Sequence, residues 1–171
     1  YIRRFCTSDQ SENNFIYYVL GKKERHTLAD YVTGVEETST NKIVLYSSAQ
    51  TGKTTELKQL CWELQQSGLY LPVSFEVRTN TKLKRDDLPE SQYVDGREVV
   101  LVIDALDEVN GQKYEDLLEE IGGYAYEHPE MKMVLSCRSN FRRERQLELF
   151  TELFLEELSI DDARDYAAKR E

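Results

Sequence analysis

The sequence predicts an α/β domain built on a mainly parallel central sheet. Aliphatic and β-branched runs recur at 42–46, 71–77, 98–104 and 132–137, and residues between them carry apolar side chains at helical spacing. Val99-Val100-Leu101-Val102-Ile103 is continuously apolar, the pattern of a parallel strand covered on both faces. Strands alternating with helices give one α/β unit, and 171 residues are enough for a single domain with a sizeable core.

Along the chain, residues 7–14 are a loop by composition, and Phe15 to Leu20 form an apolar run readable as strand or helix. A short helix is expected from Thr27, burying Leu28, Tyr31 and Val32 and stopping at Gly34. Residues 1–34 are thus a lead-in segment, and 35–171 the core. Lys42 to Tyr46 is the first central strand. Leu57, Leu60, Cys61 and Leu64 mark an amphipathic helix from near Lys53 to near Gly68. Leu71 to Val77 is the next strand, with Pro72 at its start, and 79–96 reads as a charged loop with a helical turn. Tyr114, Leu117, Leu118, Ile121 and Ala125 define a further helix, stopped by Pro129. Lys132 to Cys137 is the fourth strand, Glu152 to Leu158 a fifth, and a last helix opens at Ser159 and buries Ile160, Ala163, Tyr166 and Ala167.

Bulk properties exclude several roles. A net charge of −10 and an isoelectric point near 4.8 disfavour non-specific binding to nucleic acid. The longest aliphatic run is far too short to span a bilayer. Cys6, Cys61 and Cys137 are few and far apart, which points to reduced thiols and a cytoplasmic setting rather than a disulfide framework or a zinc site. His26 and His128 read as solvated surface residues. The chain begins at Tyr1 and ends within an apparent helix, so it is expected to be a segment of a longer protein.

The chemistry concentrates in Ser47-Ser48-Ala49-Gln50-Thr51-Gly52-Lys53-Thr54-Thr55, placed between the first strand and the helix that follows. Strand, small-residue loop and Gly-Lys-Thr at a helix start is the context of a P-loop. There, backbone N–H groups from Ser48 to Thr55 and the positive end of the helix dipole surround an anion. Gly52 lets the backbone approach phosphate, Lys53 adds a point charge, and the Thr54 hydroxyl completes a Mg²⁺ shell. Ser47 departs from the pattern, which places glycine first.

A second element agrees with the first. Asp104 ends the most apolar strand, where a carboxylate is costly unless it serves a cation or hydrogen bonds, and is the Mg²⁺ ligand expected beside a P-loop. Asp107 and Glu108 follow as the acids able to polarise a water, with Glu108 slightly favoured over Asp107. Arg138 sits at the carboxyl end of the fourth strand, where it can sense a terminal phosphate. Arg142 to Arg145 reads as a solvated helix face interrupted by Glu144.

The loop and Val100-Leu101-Val102-Ile103-Asp104-Ala105-Leu106-Asp107-Glu108-Val109 together resemble the NACHT branch of the STAND class of P-loop NTPases. Val134 to Arg138 is similar to that family's sensor strand, and Phe154 to Ala163 to the strand-to-helix segment after it. Tyr1-Ile2-Arg3-Arg4 is weakly similar to the lead-in that lies near the adenine. The resemblance implies a three-layer, ASCE-type P-loop NTPase with a mainly parallel sheet of about five strands, followed in the family by helical and winged-helix subdomains. It implies ATP/ADP and Mg²⁺ as cofactors. It also implies a slowly hydrolysing signalling switch, as in innate immunity or antiviral defence. Exchange of ADP for ATP, triggered by a ligand sensed elsewhere, would drive homo-oligomerisation. By position, Gly52, Lys53 and Thr54 bind phosphate and Mg²⁺, Asp104 binds Mg²⁺, Asp107 and Glu108 support hydrolysis, and Arg138 senses the γ-phosphate. ATP is expected over GTP, because no Asn-Lys-x-Asp guanine signature is present. Two other readings are a motor ATPase acting on nucleic acid or protein, and a non-hydrolysing nucleotide-binding assembly module.

Overall fold

The computed structural model describes residues 4–8, 26–34, 40–77, 83–109, 111–142, 147–157 and residue 164. The strands are β1 (Cys6–Thr7), β2 (Lys42–Ser47), β3 (Tyr70–Glu76), β4 (Tyr93–Val94), β5 (Arg97–Asp104), β6 (Lys132–Arg138) and β7 (Thr151–Leu155). The helices are α1 (Leu28–Thr33), α2 (Lys53–Ser67) and α3 (Gln112–Glu127), with single 3-10 turns at Arg85–Asp87, Leu106–Glu108 and Ser139–Phe141. One mixed sheet runs in the order β1-β7-β2-β6-β5-β3, with β4 also paired to β5. Its middle, β7-β2-β6-β5-β3, is parallel throughout.

The five parallel strands are those expected from the aliphatic runs. The sheet nevertheless has seven strands rather than about five, because two short antiparallel strands extend it. Backbone pairing makes both: Cys6 and Thr7 pair with Leu155 and Phe154, and Tyr93 and Val94 pair with Glu98 and Arg97. Neither segment has the length for a hydrophobic signal. The β4–β5 link is Asp95-Gly96 with φ of 51° and 77°, the left-handed pair of a two-residue hairpin turn. The region 79–96, read as a loop with a helical turn, therefore contains a hairpin strand as well. Strand β7 spans 151–155 instead of running to 158, since at Glu156 the chain leaves the sheet with its N–H donated to Phe5 O at 2.9 Å. The run at 15–20, the helix from Ser159 apart from helical Arg164, and Arg143 to Arg145 lie outside the described residues.

Helix ends follow local chemistry. Thr27 caps α1: its hydroxyl accepts the Asp30 N–H, and the Asp30 carboxylate accepts the Thr27 N–H at 2.7 Å. Gly34 and Gly68 end α1 and α2 at φ of 72° and 71°. Beyond α3, the buried Lys42 ammonium reaches the carbonyls of His128 and Pro129 at 3.0 and 2.7 Å, a cation at the helix's negative end. Both histidines are half-buried rather than solvated; His26 meets the Tyr31 ring edge-on and His128 lies over Tyr124.

The side-chain alternation of the strands divides the interior in two. On one face Val99, Leu101, Ile103, Met133, Leu135 and Val44 pack with Leu117, Leu118 and Ile121 of α3. On the other, Val100, Val102, Val134, Ile43 and Leu45 pack with Leu57, Leu60 and Leu64 of α2 and with Leu28 and Val32 of α1. Helices therefore cover both faces, as the continuous apolar run in β5 requires. Among the described residues no helix is long and apolar enough to cross a membrane.

Candidate functional site

Strand parity decides which polar side chains meet. Residues 100, 102 and 134 face α2, so Asp104, Ser136 and Arg138 continue that series at the carboxyl ends of β5 and β6. On β2, Ile43 and Leu45 face α2, so Ser47 does too, and Ser47 lies in register with Arg138. The turn from β2 into α2 rises over these ends. The result is a cleft of about 290 Å³ lined by Gln50, Thr51, Gly52, Lys53, Thr54, Asp104, Ala105, Asp107, Glu108 and Arg138. Of the residues singled out from the sequence, Ser48, Ala49 and Thr55 are exposed and absent from this lining among the described residues.

The loop's shape comes from two left-handed residues, Gln50 at φ 61° and Gly52 at φ 91°. Gly52 suits its place because this conformation is costly for other residues. Ser47 needs no such freedom: it is the last residue of β2, and its φ is not positive. Its buried hydroxyl lies 2.6 Å from the Thr51 hydroxyl, which is also 2.8 Å from Ser48 O, so side chains close the turn from inside. No side chain caps α2, which leaves its first N–H groups as donors at the cleft.

Lys53 is half-buried, and its ammonium has no hydrogen-bond or ion-pair partner among the described residues. Burial lowers its pKa from the ordinary 10.5, while the nearby Asp107 charge opposes that shift. A cation held partly out of water, beside the positive end of a helix, gives this end of the cleft a positive electrostatic character.

Across the cleft, Asp104 is buried and its Oδ1 accepts the hydroxyl of Ser136. The same hydroxyl accepts the Ala105 N–H at 3.0 Å, which helps hold Ala105 in the left-handed region at φ 65°. That conformation costs an alanine about 1–2 kcal/mol. Among the described residues the Asp104 Oδ2 has no partner, so a buried carboxylate oxygen borders the cleft unsatisfied. Ser136 was missed in the sequence, although a lone polar residue inside Lys132 to Cys137 marks it. Ser136→Ala strips a partner from two buried groups and is expected to lower unfolding free energy by about 1–3 kcal/mol in urea titration. An unchanged midpoint would remove Ser136 from this account.

Asp107 and Glu108 part company. Both Asp107 oxygens are engaged by Arg138: Oδ1 accepts its N–H at 2.9 Å and Oδ2 meets its Nε at 2.8 Å. The Asp107 side chain is only 3% exposed, against 44% for Arg138, so a buried acid anchors a more exposed base. Glu108 is exposed and lines the cleft. Arg142, the described part of the basic cluster, is bound bidentately by Glu152 at 2.6–2.9 Å. Burial raises the Cys137 thiol pKa to about 11, behind the site and far from any nucleophilic range.

Arg4, which the resemblance placed only in a lead-in near the adenine, contacts the β2–α2 loop itself. It is buried, and its guanidinium donates from Nη1 to Thr51 O at 2.7 Å and from Nε to Glu156 O at 3.2 Å, with Nη2 also on Glu156 O. With the geometry assembled, comparison of the chain with protein-family models and with curated proteins finds no match in either.

Proposed function

We propose that this cleft binds ATP and ADP with Mg²⁺ and hydrolyses ATP slowly, as the P-loop of an ASCE-type NTPase of NACHT-like kind. On this reading the nucleotide state sets the conformation of a signalling switch that oligomerises when its trigger is sensed. The observation that carries the reading is the convergence of Lys53 and the α2 N-terminus with Asp104, Glu108 and Arg138 around one cleft. In open α/β sheets, ligands bind outside the carboxyl ends of the strands, and these residues come from the ends of β2, β5 and β6.

Each group has a task. The N–H groups opening α2 and the Lys53 ammonium bind the phosphates. Asp104 and the Thr54 hydroxyl fit a magnesium ion, which takes one or two carboxylates and otherwise relies on water and phosphate oxygens. The unsatisfied Asp104 oxygen supports that fit. When bound, the ion supplies charge neutralisation at the phosphate oxygens. Glu108 orients the attacking water, and Arg138, steadied by Asp107, meets the terminal phosphate. The pairing of Arg142 with Glu152 gives no support to a nucleic-acid track.

Titration calorimetry of the protein with Mg²⁺ and ATP, ADP or GTP tests the reading. ATP and ADP are expected to bind and GTP to bind more weakly. Absence of ATP binding would refute the site, and preference for GTP would refute the choice of base.

A further inference from the structure

The Arg4 guanidinium joins two segments distant in sequence. Thr51 lies in the β2–α2 turn, immediately before Gly52, and Glu156 is where the chain leaves β7. A β-carbon added at Gly52 would lie 3.6 Å from Arg4 Nη1, so the guanidinium packs directly beneath the turn. The ladder around it is continuous: Cys6 pairs with Leu155, and the Glu156 N–H is donated to Phe5 O at 2.9 Å. Arg4 therefore extends the β1–β7 pairing sideways to the loop, with a charged donor on carbonyls from both segments.

We infer that Arg4 is a positioning residue that couples the β2–α2 loop to the chain leaving β7. Displacement of the backbone at Glu156 withdraws the guanidinium from Thr51 O and loosens the turn that presents the Gly52 and Lys53 N–H groups. Rearrangement of the phosphate-binding loop is in turn felt where β7 ends. The link runs through the Arg4 guanidinium and ends on a backbone carbonyl in each segment. Its bearing on nucleotide rests on the proposed function; the coupling itself does not.

The test compares wild type with Arg4→Lys and Arg4→Met. Hydrogen exchange on the nucleotide-free protein is the primary measurement. Arg4→Met is expected to speed exchange together at 48–55 and 153–157 and to leave α3 and β5 unchanged. Acceleration in only one segment, in neither, or throughout the protein overturns the coupling. Arg4→Lys keeps a cation able to reach one carbonyl, and its exchange should fall between the two. ATP affinity is then measured: Arg4→Met should weaken it about tenfold, the value of one charge-assisted hydrogen bond, with partial recovery in Arg4→Lys. If wild type does not bind ATP, the nucleotide reading fails while the exchange result still decides the coupling. If ATP binds equally to wild type and Arg4→Met, the loop is positioned without Arg4 and the inference is wrong.

Discussion

Replacing Lys53 with alanine is expected to weaken ATP binding about 100-fold or more, measured by calorimetry with Mg²⁺. Two charge-assisted contacts to phosphate at roughly 1.5–3 kcal/mol each set that scale. Lys53 is the half-buried cation that opens α2, and its ammonium forms no direct ion pair among the described residues. Its removal should barely disturb folding, so an unchanged melting temperature without nucleotide would accompany the loss. Retained affinity would dismiss the loop as a phosphate site.

The same residue sets a pH dependence. Burial holds the Lys53 pKa below 10.5 in the free protein, and a bound phosphate would raise it again. The bound state then holds the proton more tightly than the free state. Affinity is accordingly full below the depressed pKa and falls as pH rises through it, earlier than an ordinary lysine would dictate. Lys53→Arg, which stays charged over that range, should flatten the decline. A wild-type profile flat up to the ordinary lysine range would contradict the depression.

Glu108→Gln is expected to leave ATP affinity within a factor of about two and to lower kcat about 100-fold, the lower range for losing a positioned base. Asp107→Asn should act differently. It keeps an acceptor for the Arg138 N–H but loses the charge that meets Nε, and so should destabilise the fold by about 1–3 kcal/mol. Single-turnover kinetics beside urea titration separates the two. If Asp107→Asn slowed chemistry and Glu108→Gln did not, the division of labour would be reversed. The sequence alone left these acids nearly equal; the engagement of both Asp107 oxygens by Arg138 distinguishes them.

What was legible in the chain was what repeats locally. β5 announced itself through five consecutive aliphatics, and α1 through Thr27, Asp30 and Gly34, whose side chains and backbone freedom act within one turn. Asp104, Lys53 and Arg138 were placed correctly at strand and helix ends, because the ends of periodic runs can be counted. Arg4 was not legible at the loop, since its partners lie 47 and 152 residues away. β4 was overlooked despite Asp95-Gly96, a left-handed turn pair, because no apolar alternation preceded it. Ser47 looked like a defect when judged as a glycine substitute, yet its hydroxyl closes the turn with Thr51.

The parity that brings Asp104, Ser136 and Arg138 to the α2 face also limits how this chain can vary in length. Removing or adding one residue within β5, upstream of Asp104, would turn that carboxylate toward α3 and exchange the residues of the two cores along the strand. A change of two residues preserves the faces and alters only reach. Viable variants of β5 and β6 should therefore differ in even steps, whereas exposed turns such as Asp95-Gly96 can change without that restriction.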